Sequence, residues 1–190
     1  MTDGYRGFFL SKKENKLFLN EFHSFHSAKF ASFANYSMPM YYNSGIINEH
    51  IHTRNFLGLF DVSHMGQILI TFNSNNLSKL KKYIPLDFAN IKNNQCYYSF
   101  LLNEVGGIID DIIVSKVEIN NLLYLFVVYN ASRKEIDEKI FIDNTDHSKV
   151  IINNSYLALQ GPESYNTLSK LIKNLNKLFF MKISNFKYKD

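Results

Sequence analysis

Two adjacent carboxylates, Asp110 and Asp111, are the residues of this 190-residue chain best placed to do chemistry. They follow the glycine pair Gly106 and Gly107 and precede the apolar run 112–114. Glycines permit a tight turn and the apolar run predicts a buried strand, so a rigid, partly desolvated carboxylate is expected where turn and strand meet. Taken alone, the same pattern favours a plainer alternative, a β-hairpin whose aspartates cap the turn and face water.

Two other polar clusters offer weaker chemistry. His23 and His26 stand three residues apart on a predicted helix, but two metal ligands without a third favour a surface pair. Asp61, Ser63 and His64 are the residue types of a hydrolase triad. On an extended chain they lie too close together to form the relay, and the sequence has no G-x-S-x-G motif, so a serine hydrolase is excluded.

Composition places the chain among globular proteins, with 46% apolar and 20% charged residues. The net charge of +4 permits an anionic ligand, but the basic residues are too dispersed to indicate nucleic-acid binding. The single cysteine, Cys96, excludes an internal disulfide framework and a multi-thiolate metal site. No apolar run reaches the roughly 18 residues of a membrane-spanning helix, so a reduced, soluble compartment is expected.

The elements that must position these residues alternate between strands and helices. Strands are predicted at 67–70, 97–102, 110–117, 122–128 and 150–159, an extended aromatic segment at 33–42, and helices at 17–30, 45–57, 77–84, 133–141 and 163–180. Gly58 is predicted to cap the C-terminus of the second helix and Ser132 the N-terminus of the fourth. Hairpins interspersed with helices predict an α+β fold. Residues 1–16, polar and basic, predict a loose extension ahead of one domain at 17–190.

Short motifs in a fixed order are more specific than any single residue. The longest run is His50–Gln67; shorter ones are Asn103-Glu104, Gly106-Gly107-Ile108, Asp110-Asp111 and Ala158-Leu159-Gln160-Gly161-Pro162. Over about residues 17–180 this series closely resembles the amino-terminal half of the aminomethyltransferases, the T-proteins of the glycine cleavage system. Two departures are visible: Asn35-Tyr36 stand where the family usually has Gly-Trp, and the extension before Leu17 is longer than usual.

The resemblance implies an enzyme that transfers an aminomethyl group from the lipoyl arm of the H-protein to tetrahydrofolate, releasing ammonia and giving 5,10-methylenetetrahydrofolate. It implies a three-domain cloverleaf with folate in its central channel, here incomplete and truncated at the carboxyl end, so that this piece alone is expected to be inactive. Tetrahydrofolate is the implied co-substrate and the lipoylated H-protein the implied partner, with no metal, nucleic acid or membrane. The implied compartment is the bacterial cytoplasm or, in a eukaryote, the mitochondrial matrix.

Within the family's motif, the second aspartate is the catalytic one, and that position here is Asp111. A fixed carboxylate stabilises the cationic, iminium-like states of carbon–nitrogen exchange and orients or accepts the proton of the attacking nitrogen. Asp110 is expected by strand alternation to face the other way. The implied folate contacts are Asp111, Tyr98 packing along a ring, and Asn130 offering a donor and an acceptor. Without the resemblance, Tyr98 fits a core residue and Asn130 a helix N-terminal residue.

Two alternatives stay open. The first is a folate-binding relative without transferase activity, of the iron–sulfur assembly branch, although the His50–Gln67 match favours the transferases. The second is a non-catalytic remnant or interaction domain left by truncation. Packing and supporting roles, not catalysis, are expected for His50, His52, His64 and Arg54.

Overall fold

The computed structural model describes residues 14–152 and 154–188, and it confirms the predicted mixture of helices and strands. The strands are β1 (Asn15–Lys16), β2 (Lys29–Phe33), β3 (Tyr36–Tyr41), β4 (Gly58–Asp61), β5 (Gly66–Thr71), β6 (Cys96–Leu102), β7 (Ile108–Ile119), β8 (Leu122–Tyr129), β9 (Ser148–Val150) and β10 (Leu157–Gln160). The α-helices are α1 (Asn20–Phe25), α2 (Ile46–Asn55), α3 (Ser74–Leu80), α4 (Lys134–Asn144) and α5 (Ser164–Ser169). Two short 3₁₀ turns lie at Ala131–Arg133 and Leu175–Lys177.

A five-stranded antiparallel sheet, ordered β6-β7-β8-β5-β9, forms the centre of the molecule. Alternate residues of its strands, such as Ile112 and Val114 of β7, are fully buried on one face. They belong to one apolar cluster with Leu80 of α3 and Phe141 of α4. Burying each such side chain contributes about 1.5–3 kcal/mol, so this helix-covered face holds the sheet in place.

The β6–β7 hairpin turns where the glycine pair predicted. Gly106 has a φ of +81°, a conformation that residues with a Cβ adopt only with strain. The side-chain oxygen of Asn103 accepts hydrogen bonds from the backbone N–H groups of Val105 and Gly107. Asn103 therefore caps the turn, which leaves the aspartates that follow free for other contacts.

Gly66, at the start of β5, is required by a close approach across the sheet. It pairs with Tyr129 of β8, and a Cβ on Gly66 would lie 1.8 Å from the tyrosine ring. Tyr129 is fully buried beneath this glycine and donates its hydroxyl to Glu138 of α4. The glycine thus makes room for the Tyr129 ring, whose hydroxyl joins β8 to α4 one residue before Asn130.

Two smaller sheets flank the central one. In the first, β3 pairs with β2 in an antiparallel arrangement and with β1 in a parallel one. In the second, β4 pairs with β10. The amino-terminal elements bury little: Phe25 at the end of α1 is 84% exposed. Within residues 14–152 and 154–188, no helix has the length and apolar character needed to cross a membrane.

Several predicted elements are wrong in extent. The helix predicted at 17–30 is confined to α1, because Ser27 adopts a left-handed φ of +62° and the aromatic residues after it pair as β2. The helix predicted at 163–180 ends at Ser169, and a left-handed Asn174 separates it from a short 3₁₀ turn. The strand predicted at 150–159 is two strands, β9 and β10, which pair in different sheets.

The predicted helix caps are also wrong. Gly58 does not cap α2, which ends at Asn55, but begins β4. Ser132 lies inside the 3₁₀ turn and makes no capping bond to α4. Most of the predicted loose extension, residues 1–13, lies outside the described residues, whereas its final two residues form β1.

Candidate functional site

Asp111 lies on the face of β7 opposite the apolar core, with hydrogen-bond donors on both sides. The Tyr98 hydroxyl donates to its Oδ2 at 2.9 Å, and the Asn130 amide Nδ2 donates to its Oδ1 at 2.9 Å. Tyr98 lies on β6, whose Phe100 pairs directly with Asp111, and Asn130 follows the last residue of β8. Three neighbouring strands therefore bring together the residues that the sequence proposed for the site.

The partly desolvated carboxylate expected at the junction of turn and strand is Asp110, which is buried, and not Asp111, which is exposed. Asp111 depends on other contacts. Its carboxylate is held by hydrogen bonds and not by burial. The bond that Tyr98 donates to Asp111 raises the pKa of the Tyr98 phenol, because ionisation would break the bond and place two negative charges side by side. Tyr98 is itself 59% exposed, so its interpretation as a core residue is wrong.

Asp110 lies on the opposite, buried face of β7, as strand alternation requires, and is 7% exposed. Its Oδ2 accepts the backbone N–H of Asn130 at 2.8 Å, and its Oδ1 accepts Nδ2 of the same residue at 3.0 Å. The single amide group of Asn130 therefore contacts both aspartates. This bridge fixes the position of Asn130 relative to Asp111.

Asp137 is a polar residue of this region that was not predicted from the sequence. It lies on α4, is 0% exposed, and has its carboxyl beside that of Asp110. Burial, followed by the contact with and charge of Asp110, raises the pKa of Asp137 to about 8, against the opposing charge of Arg133. A signal was available: Asp137 is four residues before Phe141 and shares its apolar helix face, where an acid is out of place.

The predicted surface histidine pair is only half right, because His26 is exposed whereas His23 is buried. His23 is 5% exposed, and its Nε2 lies 2.8 Å from Oδ2 of Asp61, while its Nδ1 lies 2.7 Å from the Tyr42 hydroxyl. Ser63 donates its hydroxyl to the other oxygen of Asp61. Asp61 thus joins α1 to β4 as a buried structural partner. Among the residues described, no group of three or more His, Cys, Asp or Glu is placed to hold a metal ion.

The remaining basic residues of the motif differ in their surroundings. His64 is half-buried against the rings of Phe33 and Tyr36, and burial lowers its pKa. His52 lies over the ring of Phe56, with centroids 5.1 Å apart. A packing role is therefore seen for His64, whereas His50, His52 and Arg54 are all exposed on α2.

Comparison with known proteins gives a consistent set of relatives. A family model described as the GCVT N-terminal domain matches residues 19–190. An aminomethyltransferase of Caldanaerobacter subterraneus subsp. tengcongensis is 36% identical over 178 residues, which are 90% of this chain and 45% of that protein. The mitochondrial aminomethyltransferase of Mus musculus is 35% identical over 172 residues, 86% of this chain and 42% of that protein.

A search of solved structures finds the same kind of relative. The crystal structure of glycine cleavage system aminomethyltransferase T from Bartonella henselae superposes with a TM-score of 0.78 at 35% identity. The superposition covers 88% of this chain and 46% of that protein. The chain therefore spans about half the length of the relatives that it matches.

Proposed function

The chain belongs to the GCVT N-terminal domain family of aminomethyltransferases, and from that premise we propose that it supplies the carboxylate face of a folate-dependent transfer site. The reaction passes an aminomethyl carbon from the lipoyl arm of the H-protein to tetrahydrofolate, with release of ammonia. The product is 5,10-methylenetetrahydrofolate. Since the chain spans about half of its relatives, the remaining contacts to folate belong to the part of the site that it does not cover.

One observation carries this proposal: Asp111 is an exposed carboxylate whose two oxygens accept hydrogen bonds from Tyr98 and Asn130. Transfer at an aminomethyl sulfide develops positive charge on the migrating carbon and nitrogen. A carboxylate already fixed by neighbouring donors stabilises that charge without reorganising during the reaction. Asp111 is also able to orient or accept the proton of the attacking folate nitrogen.

Tyr98 and Asn130 take the proposed binding roles. The ring of Tyr98 is open on one side and packs edge-on against Phe100 at 5.8 Å between centroids, which leaves an aromatic surface for a pterin or aminobenzoyl ring. The amide N–H groups of Asn130 are taken by Asp110 and Asp111. Its carbonyl oxygen is then the group left to accept a hydrogen bond from a pterin N–H.

The partners and organisation follow from the same proposal. The lipoylated H-protein is the donor partner, tetrahydrofolate the acceptor, and no metal, nucleic acid or membrane takes part. Residues 17–190 are assigned to the amino-terminal part of the folate-binding domain, to which β1, just ahead of them, adds a strand beside β3. Relatives include bacterial and mitochondrial proteins, so the proposed compartment is the bacterial cytoplasm or the mitochondrial matrix.

Calorimetric titration of the chain with tetrahydrofolate tests the binding half of this proposal. We expect saturable but weak binding, with a Kd well above the micromolar range that corresponds to about −8 kcal/mol, because other contacts lie outside the chain. Tyr98→Ala is expected to abolish the binding, whereas Tyr165→Ala, which removes a comparably exposed tyrosine from α5, leaves it unchanged. Binding that survives Tyr98→Ala, or no saturable binding at all, would overturn the assignment. Folate binding combined with no transfer in a completed site favours the iron–sulfur assembly alternative.

A further inference from the structure

Asp137 is a buried acid whose hydrogen bonds are incomplete. Its side chain is 0% exposed, and no donor among the described residues reaches either of its carboxyl oxygens. A buried carboxylate without donors or a countercharge is strongly destabilising, so a buried acid in this setting is expected to be neutral. The carboxyl group that lies beside Asp137 explains how this acid is accommodated.

That neighbour is Asp110, also a carboxyl, on the buried face of β7. Two ionised carboxylates repel each other, and a hydrogen bond between them exists only when one carries a proton. The two groups differ in their other partners. Both oxygens of Asp110 already accept hydrogen bonds from Asn130, so Asp110 is placed as the acceptor of the pair, whereas Asp137 has no such donors. Asp137 is therefore the carboxyl placed to donate a shared proton.

We propose that neutral Asp137 is a positioning residue, which donates its carboxyl proton to Asp110 and so fixes the Asn130 amide that holds Asp111. The inference rests on the proposed function, because it concerns how the same carboxylate is oriented. The chain of contacts runs from the buried side of the sheet to the open side. Asp137 contacts Asp110, Asp110 accepts from Asn130, and Asn130 donates to Asp111.

The surroundings of Asp137 explain why this contact depends on pH. Asp110 faces it from β7 and Tyr129 from β8, while Arg133 and Glu138 flank it near the start of α4. Burial and Asp110 raise the pKa of Asp137 to about 8, and Glu138 acts in the same direction, while Arg133 opposes them. Above that pH, Asp137 ionises and repels Asp110, and the Asn130 amide loses its fixed position.

The test is an NMR pH titration of the chain labelled with ¹³C in the aspartate carboxyl groups and ¹⁵N in the asparagine amides. One carboxyl signal, identified by its absence in Asp137→Asn, is expected to titrate near pH 8. The Asn130 side-chain amide signals are expected to shift with the same midpoint. In Asp137→Asn, whose amide N–H replaces the acid proton, the Asn130 signals are expected to stay at their neutral-pH positions throughout.

Two further variants sharpen the test. Asp137→Ala removes the donor, so the Asn130 signals are expected to be displaced at every pH. Asp143→Asn removes an exposed carboxylate from the same helix, where it pairs with Lys139, and leaves the Asn130 signals unchanged. If Asp137→Ala does not fold, the wild-type and Asp137→Asn titrations still decide the question.

An Asp137 carboxyl that titrates near its ordinary pKa of 3.8 would overturn the inference. So would a titration near pH 8 that leaves the Asn130 signals unmoved. Neither readout uses folate or transfer, so failure here is distinguishable from failure of the proposed function. Tetrahydrofolate binding that depends on Tyr98 can stand or fall independently of these titrations.

Discussion

Two adjacent aspartates lie on opposite faces of the β6–β7 hairpin, one buried and the other exposed to solvent. Asp110 points into the protein, where Asn130 and Asp137 surround it. Asp111 points to solvent and is held by hydrogen bonds alone. A buried carboxylate must have its hydrogen bonds satisfied for the protein to fold, whereas an exposed one is available to a ligand. Asp110 therefore serves the fold, whereas Asp111 is left accessible, as its proposed catalytic role requires.

The largest expected effect is a loss of folding stability at high pH, caused by ionisation of Asp137 on the buried face. The folded-state pKa of Asp137 is raised from 3.8 to about 8, so the folded chain binds more protons than the unfolded chain between those values. Its contribution to stability is therefore complete below about pH 4 and is lost as pH rises to about 8, by at most about 1.4 kcal/mol for each pH unit. Denaturant unfolding at several pH values should show this loss in the wild type relative to Asp137→Asn. Parallel stability curves for the two proteins would contradict it.

The next effect compares the two aspartates directly. Asp110→Ala leaves the Asn130 N–H groups and the Asp137 carboxyl without a buried partner, and is expected to lower the free energy of unfolding by about 3 kcal/mol. Asp111→Ala, on the open face, is expected to lower it by less than about 1 kcal/mol. Urea unfolding of both variants measures the difference. Equal losses of unfolding free energy in the two variants would mean that Asp110 is no more important to the fold than Asp111.

The smallest effect concerns the hydroxyl of Tyr98. Tyr98→Phe keeps the ring and removes the hydrogen bond to Asp111, which is worth about 1 kcal/mol. We expect tetrahydrofolate affinity to fall by no more than about fivefold, far less than in Tyr98→Ala. Calorimetric titration of the two variants side by side provides the comparison. If both lose the same affinity, the ring contributes nothing beyond its hydroxyl.

The sequence predicted those features of the site that depend on local geometry. Paired glycines at Gly106 and Gly107 required a turn, and the two-residue period of a strand placed Asp110 and Asp111 on opposite faces. The bridge through Asn130 was not predictable in the same way, because it depends on the register that pairs Ile112 with Tyr129 across separate strands. Long-range register is set by the whole sheet and not by neighbouring residues.

Elements outside the central sheet were predicted less well for a related reason. The apolar spacing of residues 17–30 fits a helix, but the aromatic residues after Ser27 find their partners in β3. His23 was interpreted as a surface residue because its partner, Asp61, lies 38 residues further along the chain. Local periodicity is a weak guide wherever tertiary pairing decides the conformation.

The central claim, that Asp111 is the catalytic carboxylate, is tested most directly by aminomethyl transfer. The chain is joined to the part of the Bartonella henselae aminomethyltransferase that it does not cover, and transfer from aminomethyl-loaded H-protein to tetrahydrofolate is measured. Asp111→Asn keeps the size of the side chain and removes its charge. The account predicts a rate at least about a hundredfold lower, or about 2.7 kcal/mol, with an unchanged melting temperature. Asp110→Asn is expected to cost much less. A near-normal rate for Asp111→Asn, beside an active wild-type fusion, would contradict the account.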